Sequence, residues 1–294
     1  MPIASDTLDI GARLQHEGLL RSGFAFQVGI RRWGLAGKLK AGYYRLAPTM
    51  SAREIAEVIA SGETATEKVT FPEGFTVKQI AERLDETGLC AEKDFLAAAV
   101  PANVSEIPLP TGNSLSAQSL EGYLFPATYV FEYGTEPPAL VRAMTQTFRS
   151  RVTEGMADDL ARSHHMLHEV VTVASMIERE ARVEKDRPLI ASVIYNRLQK
   201  GMRLQIDATV LYALGEHKER ITRQDLQVDS PFNTYRRKGL PPHAICNPGA
   251  ASIRAALRPA KTDYLFYVAR PDGSHVFTKT YEEHLKAIRA IRGG

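Results

Sequence analysis

The chain has 294 residues, of which 44% are hydrophobic and 24% charged, so it has room for one large or two modest globular domains. Its 37 basic and 34 acidic residues leave a net charge of +3, too small to give a strong field for nucleic acid or an acidic membrane surface. The cysteines, Cys90 and Cys246, fit neither a disulfide scaffold nor a CxxC metal site. No stretch approaches the roughly 18 to 20 apolar residues that cross a bilayer, and the first residues lack a signal peptide, so we expect a soluble chain.

The first third of the chain predicts a small module. A polar helix is expected over residues 6–17, and FAFQVGIRRWG leads from it to KAGYYRLAPTM, whose alternation predicts a strand. Ser51 and Glu54 have the spacing of a capping box at the start of SAREIAEVIASG, and Gly62 ends that helix. A strand is then predicted over TATEKVTF. We place a domain boundary near residue 66.

The rest of the chain predicts a mixed, helix-rich domain. Thr76 and Gln79 form a second capping pair ahead of an amphipathic helix. Two apolar runs around Asp272 and Gly273 predict a hairpin, and TYEEHLKAIRAIR predicts a final helix. The fold class is therefore α+β. The remaining predicted helices cover residues 92–100, 137–152, 167–182, 186–200, 207–214 and 249–258.

Two predicted loops carry aromatic and amide side chains among many turn-forming residues. They are LEGYLFPATYVF (120–131) and DSPFNTYRRKGLPPHAICNPGA (229–250). Loops on a rigid scaffold often hold binding groups, whereas prolines alone can shape a connection. Both interpretations stay open at this point.

Residues 174–188, ASMIEREARVEKDRP, place glutamates at the end of a predicted helix. The apolar residues Val170, Ala174 and Ile177 share one helix face, and Glu178 lies at its edge while Glu180 points farther round. One interpretation is a solvated helix end with a Glu178–Arg182 pair. The other is an acid at a groove, where partial burial would raise the pKa of a carboxyl group and keep it protonated near neutral pH.

Other catalytic signatures are weak or missing. His164, His165 and His168 form HHxxH, but no glutamate of an HExxH motif and no nearby cysteine accompanies them. GxSxG, Walker, GxGxxG and kinase motifs are also absent. We therefore expect no metal site, and a metal hydrolase is the most distant alternative.

Several segments, in order, resemble the YceG-like family of endolytic murein transglycosylases. The resemblance covers most of residues 39–284 and implies a LysM-like module over residues 1–66 and a transglycosylase domain over residues 67–294. The matching segments are LKAGYYRL, FPEGFTVKQIAERL, LEGYLFPATY, VASMIEREA, ASVIYNRLQKGMRLQIDATVLYALG, SPFNTYRRKGLPPHAICNPG and YLFYVARPDGSHVFTKTYEEH.

The resemblance implies a lyase that cuts nascent peptidoglycan strands between MurNAc and GlcNAc, leaves 1,6-anhydro-MurNAc ends and limits strand elongation. It implies no cofactor, and penicillin-binding proteins as partners. Members of the family are normally anchored by one N-terminal transmembrane helix, with the enzyme outside the bacterial cytoplasmic membrane. That helix is missing from this chain, so we expect either a truncated form or a soluble variant.

A lytic transglycosylase needs one acid, because the sugar's own 6-hydroxyl takes the place of a second carboxylate or water. The family's S-x-x-E-x-E pattern falls on Ser175, Glu178 and Glu180. The resemblance therefore assigns this acid to Glu180 with Glu178 in reserve, although the helical projection favours burial of Glu178. The resemblance also implies substrate contacts in the loops; Asp207 could instead cap a helix and Asn233 fix a turn. The predicted contacts are Glu121, Gln205, Asp207, Asn233, Thr234 and Tyr235.

Two residues depart from the family pattern, Ala127 in place of an acidic residue and His243 in GLPPH; both could alter loop shape or substrate fit. A non-catalytic peptidoglycan-binding or scaffold protein, with purely structural glutamates, is the main alternative function.

Overall fold

The structure is a computed structural model that describes residues 7–109, 118–215, 218 and 221–292. Helices dominate, and the strands of these residues form two two-stranded sheets, so the predicted α+β class is confirmed. The first predicted helix begins at Asp6, which lies outside the described residues. The elements in chain order are α1 Thr7–His16, α2 Gly23–Arg32, α3 Ala52–Ser61, β1 Thr66–Thr70, α4 Val77–Glu86, α5 Glu92–Ala98, β2 Thr128–Glu132, α6 Pro137–Phe148, α7 Ala157–Arg162, α8 Leu167–Glu180, α9 Arg187–Gln199, α10 Asp207–Leu214, α11 Ala250–Leu257, β3 Phe266–Ala269, β4 His275–Thr278 and α12 Tyr281–Arg292.

The chain divides into two compact units. The first comprises residues up to Val69 together with Leu84–Ala91 and Thr128–Glu136, and the second comprises the remainder. The first unit is built around α1, α2 and α3, whose apolar faces bury side chains such as Phe26, Ile30 and Ile55. Strand β1 pairs with β2, so a segment far along the chain completes this unit. The predicted division at residue 66 stays a prediction.

The two predicted capping pairs are confirmed. The Glu54 amide donates to Ser51 Oγ at 3.3 Å, and the Ser51 amide donates to Glu54 Oε2 at 2.7 Å. Gly62 ends α3 with φ of 74°, a left-handed conformation that glycine adopts without steric cost. Thr76 and Gln79 exchange the equivalent bonds, at 2.9 and 3.2 Å, at the start of α4.

The predicted strand over KAGYYRLAPTM is wrong, because no strand forms within residues 40–50. The alternation has another cause: Tyr44 and Leu46 pack against the helical core of the first unit. The Tyr44 hydroxyl donates to the Lys40 carbonyl at 2.9 Å. The alternation of apolar and polar residues, which predicted a strand, therefore comes from packing against helices.

Helix α8 is the central helix of the second unit. Its residues from Val170 to Ile177 are all buried, and it packs against α9, α10 and α11. The predicted range was 167–182, but α8 ends at Glu180, because Ala181 has extended backbone angles of φ −76° and ψ 120°. Glu180 is consequently the last residue of the helix.

Strands β3 and β4 form the predicted hairpin. They are antiparallel, with Tyr267 opposite Phe277 and Ala269 opposite His275. Gly273 has φ of 85°, and the Ser274 amide donates to Asp272 Oδ1 at 2.9 Å, so both predicted turn residues contribute to the turn. The described helices include none that is long and apolar enough to span a membrane.

Candidate active site

The two glutamates near the end of α8 have different surroundings. Glu178 Oε1 accepts from Arg187 at 3.2 Å and Oε2 accepts from the Gly249 amide at 2.9 Å, and its side chain is only 7% exposed. Its cationic partner is thus Arg187 rather than the predicted Arg182. Arg187 also donates to Ser252 at 2.6 Å. Both oxygens of Glu178 are therefore engaged in contacts that connect α8 to α9 and α11.

Glu180 is half-buried, and the Tyr267 hydroxyl donates to its Oε2 at 3.1 Å. Burial raises the pKa of this carboxyl group from 4.5 to about 7, and the charge of Asp207 adds to the rise. The hydrogen bond from Tyr267, the Ala208 amide and the charge of Arg179 lower the pKa but do not offset burial. Much of the Glu180 population is therefore protonated near neutral pH.

Glu180 opens onto a cavity of about 360 Å³, which we call the Glu180 cavity. Carboxylates and tyrosine hydroxyls line part of it, and Arg197, His275 and His284 supply basic groups. A lining of carboxyl, hydroxyl, imidazole and aromatic groups suits a sugar, which offers hydroxyls and an apolar ring face. The lining residues are Glu180, Arg197, Leu204, Gln205, Asp207, Tyr235, Phe266, Tyr267, Ala269, His275, Tyr281 and His284.

Gln205 and Asp207 line this cavity from the segment before α10 and from the first residue of α10, respectively. Gln205 has φ of 54° and is the one non-glycine residue of the described ranges with a positive φ. Such strain is maintained only where surrounding contacts determine it, and it is common at functional sites. Asp207 is the first residue of α10, not its cap, since the cap position belongs to Ile206. Asp207 Oδ1 accepts from the Tyr235 hydroxyl at 2.5 Å.

Asn233 and Thr234 lie outside the cavity lining and are 0% and 2% exposed. Asn233 Nδ2 donates to the carbonyls of Leu226 and Val228 at 3.0 and 2.8 Å. Thr234 accepts from the Ile206 amide at 3.0 Å through its hydroxyl. The two residues thus fix the loop that carries Tyr235 and connect it to the segment that carries Gln205 and Asp207.

Glu121 lies in a different cavity of about 470 Å³, which we call the Glu121 cavity. Its carboxyl group accepts from the Val77 amide at 3.0 Å, from Asn247 Nδ2 at 3.1 Å and from the Tyr212 hydroxyl at 3.2 Å. Burial raises its pKa to about 8, although the bonds from Val77 and Tyr212 lower it. Of the predicted contacts, the structure therefore brings Gln205, Asp207 and Tyr235 together with Glu180, but not Glu121.

Arg197, Tyr267, His275 and His284 are cavity residues that the sequence analysis did not single out. Arg197 donates through Nε to the Leu265 carbonyl and through a second nitrogen to the Leu204 carbonyl, each at 2.6 Å. It thereby joins α9 to both sides of the cavity. The sequence held a signal for three of these residues, because Arg197 lies in SVIYNRL and His275 and His284 lie in GSHVFTKTYEEH, and both segments carry the family resemblance.

The HHxxH histidines do not converge on one point. His165 stacks on Tyr195 with ring centroids 4.4 Å apart, whereas His168 Nε2 lies 3.1 Å from the Pro242 carbonyl. Among the residues that the structure describes, no group of histidine, cysteine or carboxylate side chains is arranged to hold a metal.

The two residues that depart from the family pattern, His243 and Ala127, both make contacts within the protein. The His243 ring packs on the Phe232 ring with centroids 4.7 Å apart. The Ala127 carbonyl accepts a hydrogen bond from the Phe71 amide at 3.0 Å.

Comparison with known proteins agrees with the resemblance. A model of the YceG-like family matches residues 2–290. The chain belongs to the YceG-like family. It is 38% identical to an endolytic murein transglycosylase of Bacillus subtilis (strain 168), over 98% of this chain and 82% of that protein.

Two further relatives extend this comparison. A Streptococcus pneumoniae (strain D39) protein of the same name is 30% identical over 97% of the chain, which spans 56% of its length. A 2.6 Å crystal structure of a yceG-like protein from Listeria monocytogenes aligns with a TM-score of 0.70 at 38% identity. That alignment covers 98% of this chain and 97% of the other.

Proposed function

We propose that this protein is an endolytic murein transglycosylase, a lyase that cleaves the glycan strands of peptidoglycan. Membership of the YceG-like family and the names of its relatives supply the substrate class. The observation that carries the proposal is Glu180, a half-buried acid with a pKa of about 7 at the edge of a polar and aromatic cavity. An acid that is protonated near neutral pH can donate to a glycosidic oxygen.

In the first step, protonated Glu180 donates its proton to the oxygen that links MurNAc to GlcNAc. The bond between this oxygen and C1 of MurNAc breaks with its electron pair going to the leaving oxygen, through an oxocarbenium-like state. The Glu180 carboxylate that results is negatively charged and lies beside the positive charge that develops on the sugar. Burial strengthens this electrostatic stabilisation.

In the second step, the same carboxylate takes the proton of the MurNAc 6-hydroxyl while that oxygen attacks C1. The product is a 1,6-anhydro-MurNAc end, and Glu180 returns to its protonated form. The intramolecular nucleophile explains how one carboxyl group can suffice. Glu178 does not share this role in our proposal, because Arg187 and the Gly249 amide occupy both of its oxygens.

Gln205, Asp207 and Tyr235 are proposed to contact the strand from the cavity wall. Gln205 and Asp207 are exposed while Ile206 between them is buried, so both polar side chains can meet a ligand. Asn233 and Thr234 act through the loop they support. We assign Glu121 a structural role, because its buried carboxyl group accepts from three protein donors.

The remaining features of the family belong to the same proposal. They are a LysM-like glycan-binding module over residues 1–66, a transglycosylase domain over residues 67–294, action beside penicillin-binding proteins at the outer side of the cytoplasmic membrane, and control of strand length.

The test is to incubate the protein with uncrosslinked peptidoglycan strands and measure 1,6-anhydro ends by mass spectrometry. Glu178→Gln is the matched control for Glu180→Gln, since it makes the same change two residues earlier on α8. We expect products from the wild type and from Glu178→Gln, and none above background from Glu180→Gln. Circular dichroism establishes that each variant is folded.

Two results would contradict the proposal. A folded wild-type protein that binds strands without producing anhydro ends would favour a non-catalytic binding or scaffold protein. Full activity in Glu180→Gln together with loss in a folded Glu178→Gln would assign the acid to Glu178.

A further inference from the structure

His275 combines deep burial with a position in the wall of the Glu180 cavity. Its side chain is only 4% exposed, yet it is one of the residues that line the cavity. It is the first residue of β4, and Tyr267 lies diagonally across the hairpin on β3. The two rings meet edge to face with centroids 5.4 Å apart. Tyr267 is the residue that donates to Glu180, so His275 packs directly against the partner of the proposed acid.

Asp186 determines how the His275 ring is oriented. Asp186 Oδ2 accepts from the His275 amide at 2.7 Å and lies 2.9 Å from His275 Nδ1. Asp186 is itself only 4% exposed at the side chain and immediately precedes α9. An ionised carboxylate can only accept, so Nδ1 carries the proton of this contact. In the neutral ring, Nε2 is then an acceptor with a free lone pair.

Nε2 has no hydrogen-bond partner among the described residues, whereas Nδ1 is fully engaged by Asp186. Nε2 is not one of the buried polar atoms without a partner in the described part of the chain, so it is accessible at the cavity wall, where a ligand can supply the partner. Sugar strands present hydroxyl groups and acetamido N–H groups, which are the donors that such a nitrogen needs. Asp186 is not itself among the cavity-lining residues, so its influence on a ligand passes through the imidazole.

We propose that His275 is a substrate-binding residue whose Nε2 accepts a hydrogen bond from a hydroxyl or acetamido N–H of the glycan strand. Asp186 is the positioning residue that selects the tautomer and fixes the ring. This inference rests on the proposed function, because it takes the ligand of the Glu180 cavity to be a peptidoglycan strand. It adds an Asp186–His275 pair to the site, in which Nδ1 contacts Asp186 and Nε2 binds the strand.

A purely structural role is the competing explanation, since the same pair joins the start of β4 to the residue before α9. Two substitutions separate the roles. His275→Asn keeps an amide nitrogen near the position of Nδ1 and removes the group at Nε2. His275→Gln can place its amide oxygen near the position of Nε2, where it can still accept from a sugar hydroxyl or N–H, and it loses the Asp186 contact.

The steady-state rates of anhydro-end formation test the proposal. For a folded His275→Asn we expect kcat/KM to fall about 3- to 10-fold, the value of one hydrogen bond to a ligand. His275→Gln should retain more of kcat/KM than His275→Asn. A His275→Asn variant within twofold of the wild type would overturn the proposal and leave the structural role.

Asp186 has its own pair of variants. Asp186→Asn keeps an oxygen that can accept from both His275 donors, whereas Asp186→Ala keeps none. We expect Asp186→Asn to recover most of the activity that Asp186→Ala loses, with the loss mainly in KM because ring orientation affects strand binding. Unchanged kinetics in a folded Asp186→Ala would overturn the positioning role.

If the His275 variants do not fold, the proposal can be tested on a protein that keeps His275. This test measures binding and does not require catalysis. Nitrogen-15 histidine spectra of Glu180→Gln should show a protonated Nδ1 and an unprotonated Nε2 for His275. Adding uncrosslinked strands should shift the Nε2 resonance. Strands that bind without moving this resonance would overturn the inference while leaving the proposed function intact; a wild type without anhydro products would instead remove the proposed function.

Discussion

The Glu180 cavity and the Glu121 cavity each hold a carboxyl group whose pKa burial raises, to about 7 and about 8. Their hydrogen bonding differs. Glu121 is 3% exposed and receives the Val77 amide, the Tyr212 hydroxyl and the Asn247 amide. Glu180 is half-buried, and one side-chain hydroxyl, that of Tyr267, donates to it.

The difference teaches that a raised pKa alone does not identify a catalytic acid. A carboxyl group that the protein already saturates with donors has little capacity left for a substrate, however high its pKa. Both carboxyl groups keep a proton near neutral pH and line a cavity, but Glu180 is the more exposed of the two and is less occupied by protein donors. Structural networks perturb pKa values as readily as active sites do.

The largest expected effect contrasts the two acids by rate. Glu180→Gln should lose at least about 1000-fold in the rate of anhydro-end formation, because both the acid and the base step use its carboxyl group. Glu121→Gln should stay within about threefold of the wild type, since the amide resembles the protonated carboxyl group in shape. Initial rates on uncrosslinked strands measure both; similar losses in the two variants would show that the cavities are not distinct in function.

The second expected effect is on stability, where substitution of Glu121 should cost more than substitution of Glu180. Glu121→Ala should lower the free energy of unfolding by about 2 to 4 kcal/mol, since it leaves the buried donors of Tyr212 and Asn247 without an acceptor. Glu180→Ala removes the contacts with the Tyr267 hydroxyl and the Ala208 amide together with a half-buried acid whose burial is unfavourable when it is ionised, so its cost should be below about 1 kcal/mol. Urea denaturation with circular dichroism compares them, and a greater cost for Glu180→Ala would be the contrary result.

The third effect is the pH dependence of stability. Because the folded pKa of Glu180 is raised from 4.5 to about 7, the folded state keeps a proton that the unfolded chain releases over this range. Wild-type stability should therefore fall relative to Glu180→Gln as pH rises from about 4.5 to 7, by up to about 3 kcal/mol at 1.36 kcal/mol per pKa unit. Glu121 is present in both proteins, so its contribution cancels in the difference.

Denaturation of the wild type and Glu180→Gln at pH 4, 6 and 8 measures this difference. A difference that stays constant, or that changes in the opposite direction, would show that the pKa of Glu180 is not raised in the folded state.

The smallest effect concerns the strained residue beside Glu180. Gln205→Gly relieves the positive φ of 54°, whereas Gln205→Ala keeps a Cβ atom there, so the glycine variant should be more stable than the alanine variant by about 1 kcal/mol. Both lack the amide group and should lose the same amount of activity. Different activities in the two variants would assign the role of Gln205 to its backbone.

Local patterns predicted much of the fold. The capping residues, the hairpin with Asp272 and Gly273, and most helices follow from short-range signals and are confirmed. The predicted strand over residues 40–50 is wrong because Tyr44 and Leu46 pack against helices. The pairing of β1 with β2 was not predicted, since a pairing between segments about 60 residues apart leaves no local signal.

The site was predictable in part. The helical projection favoured burial of Glu178, and its side chain is 7% exposed, but it could not show that Arg187 and the Gly249 amide engage both of its oxygens. The assignment of the acid to Glu180 came from the resemblance and stays a proposal. Gln205, Asp207 and Tyr235 line the same cavity as Glu180, and their contact with substrate stays a proposal. His275 was missed because Asp186, which orients it, lies 89 residues earlier in the chain.

The most direct test of the central claim is the pH dependence of kcat/KM for anhydro-end formation, in the wild type and in Tyr267→Phe. A protonated Glu180 predicts a rate that falls above a pKa of about 7. Because the Tyr267 hydrogen bond lowers this pKa, Tyr267→Phe should move the falling limb to higher pH. A wild-type limb near 4.5, or a limb that Tyr267→Phe leaves in place, would contradict the assignment of Glu180 as the acid.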